Sequence, residues 1–189
     1  MPYRKLSFRA DQYYHLYNRG VNRQPIFFER ENYLFFLRKL REYLVPTTID
    51  VIAYCLMPTH YHLLVYLRTD DLSRPMQRWL LSYTKAVNKR YQRIGSLFQG
   101  RFQAVSVDTD AYLLHLSRYI HLNPVLAGLA QHPEEWEFSS YREYVGLRPG
   151  TLPRAEVILN LLGSVRAYQD FVASYADAEC ERIRHLTME

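Results

Sequence analysis

The sequence is poor in cysteine, and it has no long hydrophobic run. Two cysteines, Cys55 and Cys180, among 189 residues allow at most one disulfide bond and cannot form a structural zinc site on their own. The apolar segment VIAYCLM ends at Pro58 and is far shorter than the roughly 20 residues that a membrane-spanning helix needs. The first ten residues are basic but lack an apolar stretch, so we expect no secretory signal and a cytoplasmic location.

Acidic residues are scarce in the first two thirds of the chain. Residues 1–130 contain 9 Asp and Glu against 18 Lys and Arg, a net charge of +9, whereas residues 131–189 contain 10 against 6, a net charge of −4. A basic body with an acidic tail indicates a polyanionic partner, and nucleic acid is the first candidate. Aromatic residues make up 15% of the chain, and those that are not part of the core are suited to stacking on unpaired bases.

Hydrophobic periodicity predicts an α+β fold. The order strand, helix, strand, strand, helix, strand, helix favours a ferredoxin-like or RRM-like antiparallel sheet covered by helices. Ser73 is the expected cap of the second helix, Asp108 or Thr109 that of the third, and Pro124 its expected end. We expect strands over 12–20, 49–58, 60–68 and 98–108, and helices over 29–45, 72–92 and 111–123.

The remaining chain is expected to form an extension of this body. Residues 153–186 have a helical pattern that is interrupted near Gly163. We therefore divide the chain into a catalytic or binding domain over 1–130 and an acidic, mainly helical extension over 131–189. The extension either packs on the domain or folds over its basic surface, and its apolar residues favour packing.

Two histidines stand two residues apart in the third predicted strand. Because alternate residues of a strand point to the same side, the imidazoles of His60 and His62 can reach one ion. Two polar rings on a buried sheet face need partners, and a divalent ion is one such partner. An incidental or structural role for the pair remains open from the residues alone.

Tyr119 and Asn123 lie four residues apart, on one face of the third predicted helix. A phenol is a poor nucleophile at its ordinary pKa of about 10 and needs a metal-polarised electrophile or a base. The amide oxygen of Asn123 is a ligand of the kind that Mg²⁺ and Mn²⁺ accept. Without the histidine pair, an ordinary packing role would be preferred for both residues.

Three segments carry candidate nucleic-acid contacts. Amide and guanidinium side chains can bond to base edges or phosphates, and a basic helix face can hold backbone phosphates. For the segment 18–23 the alternative is a turn with solvated charges, and for the helix it is a solvated face. The candidates outside the helix are Asn18, Arg19, Arg23, Gln99 and Arg101, and the helix candidates are Arg78, Lys85, Lys89 and Arg93.

Four blocks of the sequence together resemble a known family. They are YNRGVNRQPIFF (17–28), AYCLMPTHYHLLV (53–65), GSLFQGRFQAV (95–105) and LSRYIHLNPVLAGL (116–129). In this order they are similar to the HUH single-strand transposases, in the branch of the REP-associated tyrosine transposases.

The resemblance implies a function and a set of site residues. His60, His62 and Asn123 match the metal-binding positions, for Mg²⁺ or Mn²⁺, and Tyr119 matches the nucleophilic tyrosine. The implied activity is that of a DNA transposase and endonuclease, which cleaves and rejoins single-stranded DNA beside palindromic hairpins through a 5′-phosphotyrosine. The implied partner is single-stranded DNA with REP-like hairpins, and the implied state is a monomer or a homodimer without membrane association.

Two other functions remain open at this point. A ferredoxin-like sheet with exposed aromatics could bind single-stranded DNA or RNA hairpins without cleaving them. A metal-dependent hydrolase could use His60 and His62 to activate water, and would cleave without forming a tyrosyl adduct.

Overall fold

The computed structural model describes residues 7–175. Its centre is one antiparallel sheet with the strand order β2-β3-β1-β4. With one helix between β1 and β2 and another between β3 and β4, this order is that of a ferredoxin-like fold, so the predicted α+β class is confirmed. The strands are β1 (Tyr13–Arg19), β2 (Ile49–Met57), β3 (His60–Leu67) and β4 (Gln103–Val107).

Six α-helices accompany the sheet over the described range. The first two, α1 and α2, are the crossover helices of the ferredoxin-like unit, and α3 follows β4 directly. The other three belong to the predicted extension. The helices are α1 (Arg30–Tyr43), α2 (Ser73–Arg90), α3 (Asp110–Leu126), α4 (Tyr141–Tyr144), α5 (Glu156–Leu162) and α6 (Val165–Ala173).

The sheet separates two hydrophobic cores. On one face, α1 and α2 cover a core to which they contribute Phe36 and Trp79 and the sheet contributes Tyr61. On the other face, α3 to α6 pack over a second core that includes Leu64 and Tyr119. Because successive residues of a strand alternate between these faces, Tyr61 enters the first core while its two neighbours point toward the α3 side.

The largest differences from the sequence-based prediction concern the start of the last strand, the cap of α2 and the end of α3. The last strand begins at Gln103, five residues later than expected, because Phe98 makes only an isolated bridge to Gly20 and Gly100 turns the chain with φ of 106°. Ser73 is the first residue of α2, and Leu72 occupies the N-cap position without a side-chain hydrogen bond. Thr109 does cap α3, since its hydroxyl accepts a bond of 3.2 Å from the Tyr112 N–H.

Pro124 does not end α3, contrary to expectation. The helix continues to Leu126, and Pro124 lies inside it. A proline removes its own N–H bond and crowds the carbonyl four residues earlier, but here bonds made by later residues close the last turn. The Ala127 N–H donates to the Asn123 carbonyl at 3.0 Å, and the Leu129 N–H donates to the Pro124 carbonyl at 2.8 Å.

The segment after α3 lies along the outer edge of β2. The Leu56 N–H donates to the Phe138 carbonyl at 2.9 Å, and the Ser140 N–H donates to the Tyr54 carbonyl at 3.0 Å. The indole N–H of Trp136 adds a bond of 3.0 Å to the Leu56 carbonyl. Backbone groups that an edge strand would leave unpaired are thus satisfied by the chain itself.

The described part of the extension packs on α3. Ile158 of α5 and Tyr168 of α6 are buried in the second core, and Gly163 ends α5 in a left-handed conformation, at the interruption that the pattern predicts. Residues 176–186 of the predicted helical stretch, and Cys180, lie outside the described residues. Between residues 7 and 175, no helix has the length and apolar character needed to cross a membrane.

Ser140 joins this extension to the sheet and to α3. Its hydroxyl accepts a bond of 2.9 Å from the Tyr54 N–H and lies 2.7 Å from Nε2 of His121. Replacing Ser140 by Ala leaves these buried groups without their partner, so we expect the free energy of unfolding to fall by about 1–3 kcal/mol in urea titrations. Ser174→Ala, an exposed hydroxyl at the end of α6, is the control and should change it by less than about 0.5 kcal/mol. Equal effects of the two substitutions would contradict the assigned role of Ser140.

Candidate active site

The two histidines of β3 project from the α3 side of the sheet. Their ring centroids are 5.1 Å apart, and the ring planes are nearly perpendicular, at 83°. His62 is buried with 2% exposure, and His60 is partly exposed at the end of the strand. One ring is therefore held inside the protein while the other reaches its surface.

Helix α3 places two further polar side chains against this pair. The Oδ1 atom of Asn123 is 3.3 Å from Nε2 of His60, and the Tyr119 ring centroid is 5.7 Å from that of His62. Tyr119 is fully buried and Asn123 is 1% exposed. The four residues singled out as metal ligands and nucleophile are thus neighbours in the fold, although about 60 residues separate the strand from the helix.

The donor set fits a divalent ion. Nε2 of His62 is buried and has no hydrogen-bond partner among the described residues. Two ligands at adjacent corners of an octahedral ion with bonds of about 2.0–2.1 Å lie about 3 Å apart, close to the 3.3 Å between His60 and Asn123. No group of three His, Cys, Asp or Glu side chains suited to a metal occurs within 7–175, so an ion held by His60 and His62 would take a third ligand of another type, such as the Asn123 amide oxygen.

A third histidine, which the sequence analysis did not select, completes the cluster. His15 lies on β1, and its Nε2 is 3.0 Å from Nδ1 of His62. Burial lowers the pKa of His15 to about 3. Burial, together with the nearby His60 and His15, also holds the pKa of His62 well below its ordinary value. Period-two alternation in β1 puts His15 on one face of the strand with Tyr13 and Tyr17. This alternation is the sequence pattern that could have indicated His15 as a site residue.

His121, two residues from both Tyr119 and Asn123 on α3, is also fully buried. Its Nδ1 is 2.6 Å from the Tyr168 hydroxyl and its Nε2 is 2.7 Å from the Ser140 hydroxyl. Burial lowers the pKa of His121 to about 3. These bonds tie α3 to α6 and to the segment along β2, so they fix the helix that carries Tyr119 and Asn123.

A cavity of about 220 Å³ opens beside the histidine pair. The loop after β1 forms one of its walls, and Gly20 in that loop is required by a close approach. A Cβ atom at Gly20 would lie 1.9 Å from the Gln24 carbonyl oxygen. The lining residues are Tyr17, Asn18, Arg19, Arg23, Thr59, His60, Tyr61 and His62.

The candidates for nucleic-acid contact outside α2 occupy different environments. Asn18 is buried at the end of β1, where its Nδ2 donates to the Gly100 carbonyl at 3.2 Å and its Oδ1 accepts from the Arg19 N–H at 2.9 Å. It therefore links β1 to the Gly100 turn instead of presenting its amide to solvent. Arg19 donates to Gln99 at 2.7 Å at the surface, and Arg23, Gln99 and Arg101 are exposed.

The helix candidates lie away from the histidine pair. Helix α2 packs in the first core, on the opposite face of the sheet from α3. Lys85 and Lys89 are exposed, whereas the guanidinium groups of Arg78 and Arg93 lie over the rings of Tyr43 and Phe28, 5.6 and 5.4 Å from the centroids. The structure does not bring this basic face into the cavity.

A ferredoxin-like sheet holds two histidines against a helix-borne tyrosine, which is the arrangement that the resemblance to the HUH transposases implies. Residues 9–123 match the family model described as "Transposase IS200 like", which covers more than half of the chain. The chain belongs to this family of IS200-like transposases, and the resemblance to its REP-associated branch is confirmed.

Two relatives are similar to this chain. A Haemophilus influenzae protein, provisionally named a REP-associated tyrosine transposase, is 29% identical over 107 residues. The match covers 51% of this chain and 61% of that protein, so the chain spans less than two thirds of the relative's length. A solved structure of a REP-associated tyrosine transposase bound to a REP hairpin superposes with a TM-score of 0.65 and 21% identity, covering 80% of this chain and 93% of the other.

Proposed function

We propose that this protein is a metal-dependent transposase that nicks and rejoins single-stranded DNA beside palindromic hairpins. The observation that carries the proposal is the contact of α3 with β3, which sets Tyr119 and Asn123 against His60 and His62. A potential nucleophile and three potential ligands for one ion then lie together, and two of these ligands, His60 and His62, line a surface cavity. The family membership of the chain and the hairpin bound by the structural relative support this function.

In this proposal, His60, His62 and Asn123 hold Mg²⁺ or Mn²⁺. When bound, such an ion stabilises negative charge on a non-bridging oxygen of the scissile phosphate and orients the phosphorus atom. The protein's part is to fix the ligands on a rigid strand and an anchored helix. Arg19 and Arg23, which line the same cavity, are placed to pair with neighbouring phosphates.

Tyr119 is the proposed nucleophile. Its oxygen forms a bond to the scissile phosphorus, the phenolic proton is lost, and the bond from phosphorus to the 3′ oxygen breaks. The products are a 5′-phosphotyrosine and a DNA end whose 3′ oxygen has taken up a proton. Attack by a 3′-hydroxyl on the phosphotyrosine reverses the step, and because the bond energy is retained in the intermediate, no nucleotide cofactor is needed.

The remaining parts of the chain also have proposed roles. Residues 1–130 are the proposed catalytic domain and residues 131–189 the proposed extension, whose described part stabilises α3 through the bonds of Tyr168 and Ser140 to His121. The exposed lysines of α2 form a second contact surface for a hairpin, on the other side of the sheet. The cytoplasmic location and the monomeric or dimeric state stay predictions.

A denaturing gel distinguishes this function from its alternatives. We expect the full-length protein, incubated with Mn²⁺ and single-stranded oligonucleotides that carry a hairpin, to form a band of covalent protein–DNA adduct together with a shortened strand. Hairpin binding without cleavage under any metal, and undiminished by chelator, would identify a binding module. Cleavage without an adduct would identify a hydrolase that activates water. An oligonucleotide of equal composition without the hairpin is the control.

A further inference from the structure

Two buried imidazoles on neighbouring strands contact each other beneath the candidate metal site. His15 on β1 is fully buried, and its Nε2 is 3.0 Å from Nδ1 of His62 on β3. The two rings are nearly parallel, with centroids 5.1 Å apart and planes at 24°. The bond occupies Nδ1 of His62, so Nε2 is the nitrogen of that ring left to bind an ion.

Proton positions in the two rings are coupled. A neutral imidazole has one N–H donor and one nitrogen lone pair. For Nε2 of His62 to offer a lone pair to a cation, the proton of that ring must be on Nδ1. Nε2 of His15 must then accept it, which places the proton of His15 on its own Nδ1.

We propose that His15 is a positioning residue, which accepts the Nδ1 proton of His62 and so holds the Nε2 lone pair of His62 toward the ion. This inference rests on the proposed function, because it assumes that His62 is a metal ligand. A hydrogen bond to the non-ligating nitrogen fixes the tautomer and the orientation of a ligating histidine. His15 supplies this bond from a neighbouring strand of the same sheet, which adds rigidity.

The chemistry of His15 itself argues against a role in packing alone. Its Nδ1 is buried and has no hydrogen-bond partner within the described part of the chain. A buried polar group without a partner destabilises the fold, and an apolar ring at this position would avoid that cost. Retaining an imidazole here is reasonable if its other nitrogen performs a task, and that nitrogen contacts His62.

Metal titration of the full chain tests the inference without any catalytic assay. We expect isothermal titration of wild-type protein with Mn²⁺ to give one site, and His15→Phe to weaken its affinity by about 10–100-fold, the usual cost of losing such a support. His15→Gln should keep the affinity within about threefold of wild type, because its amide oxygen can accept the same proton. Tyr14→Phe is the control and should bind Mn²⁺ like wild type. It removes a hydroxyl from the residue that precedes His15 in β1, whose side chain lies in the first core on the opposite face of the sheet.

Nitrogen-15 NMR of the histidine rings gives a second readout that does not need the ion. In the wild-type protein we expect His62 to be protonated at Nδ1, and in His15→Phe we expect a mixture of tautomers. Equal Mn²⁺ affinity of the wild type and His15→Phe, or protonation of wild-type His62 at Nε2, would overturn the inference. If the wild-type protein binds no Mn²⁺ at all, the proposed metal site is wrong, and the tautomer of His62 still decides whether His15 orients it. Urea titrations of each variant separate loss of binding from loss of folding.

Discussion

Tyr119→Phe is expected to eliminate the covalent adduct with hairpin-bearing DNA, lowering its rate of formation by at least about 10³-fold. The substitution removes only the phenolic oxygen and keeps the ring that packs 5.7 Å from His62 in the second core. The fold and the affinity for the hairpin should therefore be nearly unchanged. The measurement is adduct yield over time on a denaturing gel with Mn²⁺, beside a gel-shift titration of the same oligonucleotide.

Tyr112→Phe is the matched control for this experiment. Tyr112 lies two turns earlier on α3, and its hydroxyl is buried without a hydrogen-bond partner in the region that the structure describes. Its removal should leave both adduct formation and stability close to wild type. An adduct that persists in Tyr119→Phe would show that another residue attacks the phosphate.

The second large effect concerns the ion. We expect His60→Ala and His62→Ala each to lower adduct formation by at least about 10²-fold, because each loses one of three ligands and the charge stabilisation that the ion supplies. Chelation of the wild-type protein by EDTA should give a similar loss, reversed by Mn²⁺. Hairpin affinity should change by less than about threefold, since contacts to backbone phosphates dominate it.

Histidines outside the site provide the comparison for these variants. His132 is exposed on the loop after α3, and His132→Ala should form the adduct at the wild-type rate. Adduct formation at an undiminished rate in EDTA would contradict the assignment of His60 and His62 as ligands. Cleavage that survives in Tyr119→Phe but is lost in His62→Ala would instead favour hydrolysis by an activated water.

The parts of the site that the sequence could predict follow from local periodicity. The i, i+2 spacing of His60 and His62 sets them on one face of a strand, and the i, i+4 spacing of Tyr119 and Asn123 sets them on one face of a helix. The order of strands and helices favoured the ferredoxin-like sheet topology. The antiparallel pairing of β2 and β3 is consistent with the two β-rich runs on either side of Pro58 and Thr59.

The parts that the sequence could not predict depend on contacts between elements. His15 contacts His62 because β1 lies beside β3 in the register that pairs Tyr17 with His62, and the predicted order of elements does not determine that register. Asn18 resembles an exposed loop residue in the sequence, yet β1 and the Gly100 turn enclose it. The continuation of α3 past Pro124 likewise depends on bonds to residues 127 and 129, which a local reading of a helix breaker does not include.

Tyr61, between the two histidines, links correct assembly of the sheet to correct assembly of the site. Its ring is fully buried beside Phe36 and Trp79, 5.2 and 5.7 Å from their centroids. A slip of β3 by one residue would turn both imidazoles into that aromatic core and expel Tyr61 from it. The misaligned strand would lose the burial of a large ring and would enclose two polar rings, so it is strongly disfavoured. The buried ring of Tyr61 thus selects the register of β3, because a chain that folds stably has its two histidines facing α3.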